Sequence, residues 1–386
     1  MLITGGRVFG PNGFVEADVR VEAARIADVS PHGALKARAD EPVIDATGRL
    51  VCPGLVDLHF HGCKGADFCD GTEDAIASIA RYQASRGVTA MCPATMTYPE
   101  ERLGAIMDAA ARFRPADDEA ALVGVNMEGP FISPRKVGAQ NPAYVQPCDA
   151  KMLHRLQERA NGLIKLVDVA PEEPGAIDFI RAVAPNVRVS LAHTCCDYDC
   201  AHAAFEAGAR QMTHLYNAMP GLHHRDPGPI AAAAERDDVV VEIIADGVHV
   251  HPAMVRLAIA LFGCERVALI SDSMRACGLG DGTFDLGGQD VLVQGPAARL
   301  ADGTLAGSVT DLAACVKTAV NVMGIDAWTA VRAATLAPAQ ALGIHGITAG
   351  GYGRLEPGCL ANMAIFDRHM EVCAVVLRGK LLSTRK

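Results

Sequence analysis

Apolar and polar positions change texture along this chain. Through residues 1 to about 53 they alternate in short runs, such as Val19-Arg20-Val21 and Arg25-Ile26-Ala27, broken at Gly5-Gly6 and Pro11-Asn12-Gly13. Period two with such breaks is the pattern of half-buried strands. Helical spacing is nearly absent there, so the segment predicts part of a small β unit. From residue 54, short apolar runs alternate with stretches of helical period. Runs near 55–60, 88–94, 121–128, 164–170, 187–193, 210–214, 239–246 and 266–272 predict strands. The stretches 73–86, 100–113, 149–160, 175–184, 197–207, 229–237 and 252–262 predict helices. In the first of these, Ile76, Ile79, Ala80 and Gln83 fall on one helical face. Eight strands, each followed by a crossover, predict an α/β fold: a (β/α)8 TIM-like barrel. A doubly wound sheet is the rival, but no Gly-x-Gly-x-x-Gly follows the first of these strands.

Residues 281–305 are rich in glycine and predict a hairpin insertion. Helices follow near 308–323 and 328–341. After Gly350-Gly351 the strand texture returns in 361–367 and 372–378. The two chain ends are therefore expected to pair as a small β-sandwich domain, residues 1–53 plus 352–386. The barrel would occupy 54–351.

Composition narrows the classes. The chain has 386 residues, 50% of them hydrophobic, enough for one large core or one plus a small one. The net charge of -10 is spread along the chain, with no basic face for nucleic acid and no polybasic membrane patch. Thirteen cysteines show no repeated framework, and Cys195, Cys196 and Cys200 lack the paired spacing of a structural zinc site. A reduced, cytoplasmic compartment is the simplest expectation. There is no signal-peptide pattern, and no apolar run approaches the roughly 18 residues of a transmembrane helix.

Chemistry-bearing residues cluster at predicted strand ends. His59 and His61, in Leu55-Val-Asp-Leu-His-Phe-His-Gly62, stand two apart and so share one face. Glu128 ends the third predicted strand, His193 the fifth, His214 the sixth and Asp272 the eighth. Singly, each has an ordinary explanation: a hydrogen-bonded core histidine, a surface carboxylate or an N-cap. Together, six candidate ligands would converge on the C-terminal face of a barrel, where that architecture places its chemistry. Imidazole and carboxylate suit Zn²⁺ or Fe²⁺. A catalytic metal lowers the pKa of its water from 15.7 to about 7, and Asp272 is the candidate to accept that proton. Cys195, two residues after His193, is a less suitable soft ligand beside an already complete hard set.

Over nearly its whole length the chain resembles the amidohydrolase superfamily, and within it the N-acetylglucosamine-6-phosphate deacetylase family. The resemblance rests on Pro53-Gly-Leu-Val-Asp-Leu-His-Phe-His-Gly62, Glu128-Gly-Pro-Phe-Ile132, Ala192-His-Thr194 and Thr213-His-Leu-Tyr-Asn-Ala-Met219. It extends through His223-His-Arg-Asp-Pro-Gly228, Ile244-Ala-Asp-Gly-Val-His-Val250, Ser271-Asp-Ser-Met274, Leu305-Ala-Gly-Ser308 and Gly353-Arg-Leu-Glu-Pro-Gly-Cys-Leu-Ala-Asn362. It implies that Glu128, His193 and His214 hold the main metal, with His59 and His61 helping to hold a second; zinc comes before iron, one or two per subunit. Asp272 would serve as general base and then general acid. Arg225 and His249 would bind the phosphate of an amino sugar phosphate. In the family that arginine reaches the neighbouring subunit's site, which implies a homodimer. Asn217, Ala218, Ala139, and Leu305, Ala306 and Gly307 would line the sugar pocket. Read without the family, Arg225 is a solvated loop charge and His249 a histidine packed at the rim.

One position departs. Where the family has Gly-Ala-His, this chain has Gly138-Ala139-Gln140. Gln140 can donate an N–H but cannot become a cation, so it should stabilise a developing oxyanion less well. A slower enzyme, another acyl group or sugar epimer such as N-acetylgalactosamine 6-phosphate, or a deliberately altered position would each explain it. Two further readings stand beside deacetylation: a different amidohydrolase, and a non-catalytic sugar-phosphate binder. Many cyclic-amide hydrolases carry a carboxylated lysine after the fourth strand; this chain has Glu128 after the third.

Overall fold

The computed structural model describes residues 1–384. At its centre are eight parallel strands in chain order: β1 (Leu55–Asp57), β2 (Val88–Met91), β3 in two pieces (Ala121–Leu122 and Val125–Met127), β4 (Ile164–Val169), β5 (Arg188–Leu191), β6 (Gln211–Met212), β7 (Val240–Ile244) and β8 (Val267–Ile270). Each pairs in parallel with its predecessor. The second piece of β3 follows a bridge from Ala94 to Asn126. The sheet curls far enough for Asp272 N–H, just past β8, to donate 3.0 Å to the His59 carbonyl just past β1. All eight strands lie where the apolar runs predict them.

A helix follows each strand: α1 (Glu73–Ser85), α2 (Glu100–Arg112), α3 (Ala150–Arg159), α4 (Ala176–Val183), α5 (Tyr198–Ala207), α6 (Gly228–Ala234), α7 (Pro252–Phe262) and α8 (Leu312–Asn321). Local chemistry sets their starts. Thr72 caps α1 through the N–H of Ala75, and Glu73 and Asp74 favour its positive end. The face that α1 buries is Ile76, Ile79, Ala80 and Gln83, as its spacing predicts. Asp197 caps α5 and Asp311 caps α8 in the same way.

Both chain ends enter one eight-stranded sheet. Strand Met363–Phe366 pairs antiparallel with Leu50–Pro53, and Leu50–Pro53 pairs with Leu2–Gly10. Trp328 ties this sheet to the helical layer, donating its indole N–H to the Gly10 carbonyl at 2.9 Å. One expectation is corrected: 281–305 is more than a hairpin. Gly282–Leu286, Gln289–Gln294, Ala297–Arg299 and Leu305–Ser308 form a four-stranded antiparallel sheet. The glycines that suggested one turn close several, and Ser308 bridges to Ser273, anchoring the insertion at the end of β8.

Candidate active site

The six residues singled out at strand ends meet in one place. Glu128 lies in the middle. Its Oε1 is 3.0 Å from His193 Nε2 and 3.2 Å from His214 Nε2. Its Oε2 is 3.4 Å from His61 Nε2 and 3.7 Å from His59 Nε2. Asp272 Oδ1 closes the far side, 3.3 Å from His61 Nε2 and 3.8 Å from His59 Nε2. All six are buried.

The backbone accepts strain to make this arrangement. His193, His214 and Asp272 have φ of +45°, +31° and +47°. Left-handed geometry in a non-glycine residue costs of order 1–3 kcal/mol and persists where the surroundings impose it. Here it turns three side chains, from the ends of β5, β6 and β8, toward one point. Gly138 (φ +57°) is needed for a related reason: a Cβ there would stand 3.1 Å from His193 Cε1.

The donor set fits a metal ion. His193 Nδ1–H donates to the Lys136 carbonyl at 2.9 Å, and His214 Nδ1–H to the Asn217 carbonyl at 3.2 Å. His59 Nδ1 is 3.1 Å from Glu242 Oε2. With Nδ1 engaged, each ring turns its Nε2 lone pair inward, the arrangement that metal-binding histidines use. The two facing Nε2 atoms of His193 and His214 are 3.2 Å apart, a repulsive contact unless a proton or cation is shared. His59 Nε2 and Glu128 Oε2 are buried without a hydrogen-bond partner, which a cation between them would satisfy. Two overlapping triads, His59–Glu128–His214 and His59–His61–Asp272, each bring their ligand atoms within 4.8 Å of one another.

The charges respond to each other. Burial would raise the Glu128 carboxyl, but the His59, His193 and His214 rings hold it well below the usual range. Burial would likewise raise Asp272; the hydrogen bond from His61 and the charges of His59 and His61 bring it below the usual range. It is therefore ionised at neutral pH.

Above this floor opens a cavity of about 460 Å³. Of the residues expected around a sugar, Ala139, Gln140, Asn217, Ala218, His249, Leu305 and Gly307 line it. Ala306 is buried behind them, outside the lining. Arg225 is exposed and also outside it, with its Nη1 2.7 Å from His224 Nε2. The His249 Nδ1 is 2.7 Å from Asp246 Oδ2. Burial favours its neutral form, yet this hydrogen bond and the Asp246 charge raise its pKa. Gln140 is buried; its Oε1 accepts from Thr97 N–H at 2.7 Å and its Nε2 is 3.7 Å from Met96 Sδ.

The sequence reasoning passed over several residues. Arg135 and Lys136 line the cavity mouth; as two exposed loop charges they gave no signal. Beneath the site, Asn126, Asp168 and Glu242 are fully buried. Their signal was present, as polar residues inside the mostly apolar runs of β3, β4 and β7.

Comparison with known proteins identifies the family. Residues 50–382 match the model of the amidohydrolase family. The chain belongs to the amidohydrolase family. Its similar relatives include the N-acetylgalactosamine-6-phosphate deacetylase of Escherichia coli O157:H7, 35% identical over 88% of this chain and 90% of that protein. The N-acetylglucosamine-6-phosphate deacetylase of Bacillus subtilis is 36% identical over 86% of this chain and 84% of its own length. Among solved structures, a mutant N-acetyl-D-glucosamine-6-phosphate deacetylase of Mycobacterium smegmatis, in complex with N-acetyl-D-glucosamine 6-phosphate, superposes with a TM-score of 0.91. It is 32% identical and covers 100% of this chain and 99% of that one. No helix among the described residues is long and apolar enough to cross a membrane.

Proposed function

We propose that this amidohydrolase removes the N-acetyl group of N-acetylglucosamine 6-phosphate, giving glucosamine 6-phosphate and acetate. The observation that carries the reading is Glu128 set between four inward imidazole nitrogens, at the floor of a cavity large enough for a sugar. Relatives named for this reaction and for its galacto counterpart, at similar identity, support it and leave the N-acetylgalactosamine epimer as the second substrate to try.

Glu128, His193 and His214 would hold the main divalent metal, zinc before iron, with His59 and His61 available for a second. When bound, the metal would supply Lewis-acid polarisation of the amide and acidify a water. Asp272 takes the proton of the attacking water and then delivers it to the departing amine. Gln140, held by Thr97, keeps an amide N–H for the developing oxyanion. Asn217, Ala218, Ala139, Leu305 and Gly307 shape the sugar pocket, with Ala306 supporting from behind. The raised His249 and the Arg225 fork answer the phosphate. Because Arg225 lies outside its own cavity, that role needs the loop of a second subunit, hence a homodimer.

The parallel sheet is read as a closed (β/α)8 barrel over 54–351, and the end sheet, 1–53 with 352–386, as a β-sandwich domain. Residues 385 and 386 lie outside the described ones. The thirteen unpaired cysteines support a reducing, cytoplasmic setting. Acetate release from N-acetylglucosamine 6-phosphate by the metal-loaded protein tests the reading. No acetate from any N-acetylhexosamine 6-phosphate overturns it.

A further inference from the structure

A chain of buried polar side chains runs beneath the site. Arg188 Nε donates to Gln211 Oε1 at 2.7 Å, and Gln211 Nε2 donates to Glu242 Oε1 at 2.5 Å. Glu242 Oε2 lies 3.1 Å from His59 Nδ1 and accepts from the backbone N–H of His214 at 3.3 Å. The four side chains come from β5, β6, β7 and the end of β1. Glu242, Gln211 and His59 are each fully buried.

A buried carboxylate without partners is strongly disfavoured. Glu242 is compensated on both oxygens: Oε1 by Gln211, and Oε2 by the His214 N–H and the nearby His59 Nδ1. A carboxylate oxygen 3.1 Å from Nδ1 favours the proton on that nitrogen and leaves Nε2 as a lone pair. Asn126, whose amide is 3.2 Å from the same Nδ1, restricts the ring further; with its oxygen turned to the ring it accepts from the same N–H. The bond to His214 N–H steadies a residue held at φ +31°. Gln211 in turn fixes the Glu242 carboxylate, and Arg188 supplies the cation at the end of the line.

We propose that Glu242 is a positioning residue that, anchored by Gln211 and Arg188, commits His59 to metal ligation and so sets the affinity of the His59–His61–Asp272 position. The inference rests on the metal reading above. It predicts an asymmetry: the position built on Glu128, His193 and His214 gets its ring orientation from the backbone carbonyls of Lys136 and Asn217 and should not depend on Glu242 to the same degree.

The test is a zinc titration of metal-stripped protein against a chromophoric chelator, with bound metal counted per subunit. The native protein should show two binding steps. Glu242→Gln, which keeps shape but removes the charge, should weaken one step about 10–100-fold, the usual effect of losing such a partner. The other should move only a few-fold. His59→Ala should lose the same step, and the double variant should be no worse than His59→Ala. Gln211→Leu breaks the line one residue further away and should weaken the same step to a smaller extent, which keeps the test open if Glu242→Gln does not fold. Unchanged affinities in Glu242→Gln or Gln211→Leu overturn the proposal, as does equal weakening of both steps with a lowered apoprotein melting temperature. A native protein with only one step that neither variant moves also overturns it. Native protein that binds no metal overturns the metal reading itself, and this proposal with it.

Discussion

Gln140 Oε1 accepts a 2.7 Å hydrogen bond from the N–H of Thr97. The bond settles which end of the amide is which: the oxygen is spent on the backbone and the NH₂ group is left beside the Met96 sulfur at the cavity wall. Sulfur is a weak acceptor, so one N–H is free for substrate. Gln140→Leu should therefore lower kcat by about 10²–10³-fold, the usual loss on removing an oxyanion donor, with little change in metal content. Gln140→His, which restores the residue of the family pattern, should raise kcat. Steady-state kinetics of the two variants check this.

Asp272 is the proton carrier in this account. Asp272→Asn should lower kcat by at least about 10²–10⁴-fold while KM stays within a few-fold. Because the neighbouring imidazoles hold its carboxyl below the usual range, the native enzyme should keep its activity down to mildly acidic pH before the base is protonated. A pH–rate profile and a binding measurement on the variant separate this role from a structural one.

Metal removal should do more than stop turnover. Glu128, His193, His214 and His59 are packed with lone pairs and charges facing one another. Stripping the metal should lower the melting temperature, and zinc should restore both stability and activity. Glu128→Gln should abolish the zinc-dependent rise in melting temperature. Calorimetry with and without chelator reads it directly.

Arg225 offers a test across subunits. Arg225→Ala should raise KM for phosphorylated substrate and leave kcat nearly intact. If the arginine serves the neighbouring site, mixing Arg225→Ala with Asp272→Asn chains should restore a low KM in one site of each mixed dimer, read as a gain of activity at low substrate over either variant alone. No gain after verified subunit exchange would place Arg225 outside the neighbour's site.

The N-terminal sheet carries its own pH dependence. Burial would raise the Asp18 carboxyl, but hydrogen bonds from Thr4, His32 and the backbone of Gly33 and Gly5 hold it down to about 2. A depressed carboxylate stabilises the fold above its unfolded pKa and loses that contribution as pH falls toward the folded one. The melting temperature should therefore drop between roughly pH 4 and pH 2. Asp18→Asn should melt lower at neutral pH and show a flatter slope across that window.

The strand–helix alternation was legible because each of the eight strands is a short apolar run and each helix buries a periodic face. Ile76, Ile79 and Ala80 on α1 show this best. The strand-end residues His59, His61, Glu128, His193, His214 and Asp272 stood out because polar groups with metal chemistry closed apolar runs. Glu242 was missed although it sits inside such a run. Its meaning lies in Gln211 and His214, 31 and 28 positions away, and in His59, far more distant in the sequence, and pairing across strands leaves no local trace. The four-stranded insertion was underread for a similar reason. Turn glycines mark where strands end, but they do not show that Ala297–Arg299 pairs with Leu305–Ser308 or that Ser308 bridges to Ser273.

The most direct measurement compares acetate release from N-acetylglucosamine 6-phosphate, N-acetylgalactosamine 6-phosphate and unphosphorylated N-acetylglucosamine by the zinc-loaded enzyme. The account predicts rapid release from N-acetylglucosamine 6-phosphate and a much lower kcat/KM without the phosphate. Equal turnover with and without the phosphate, or no acetate from either phosphorylated sugar, would contradict it.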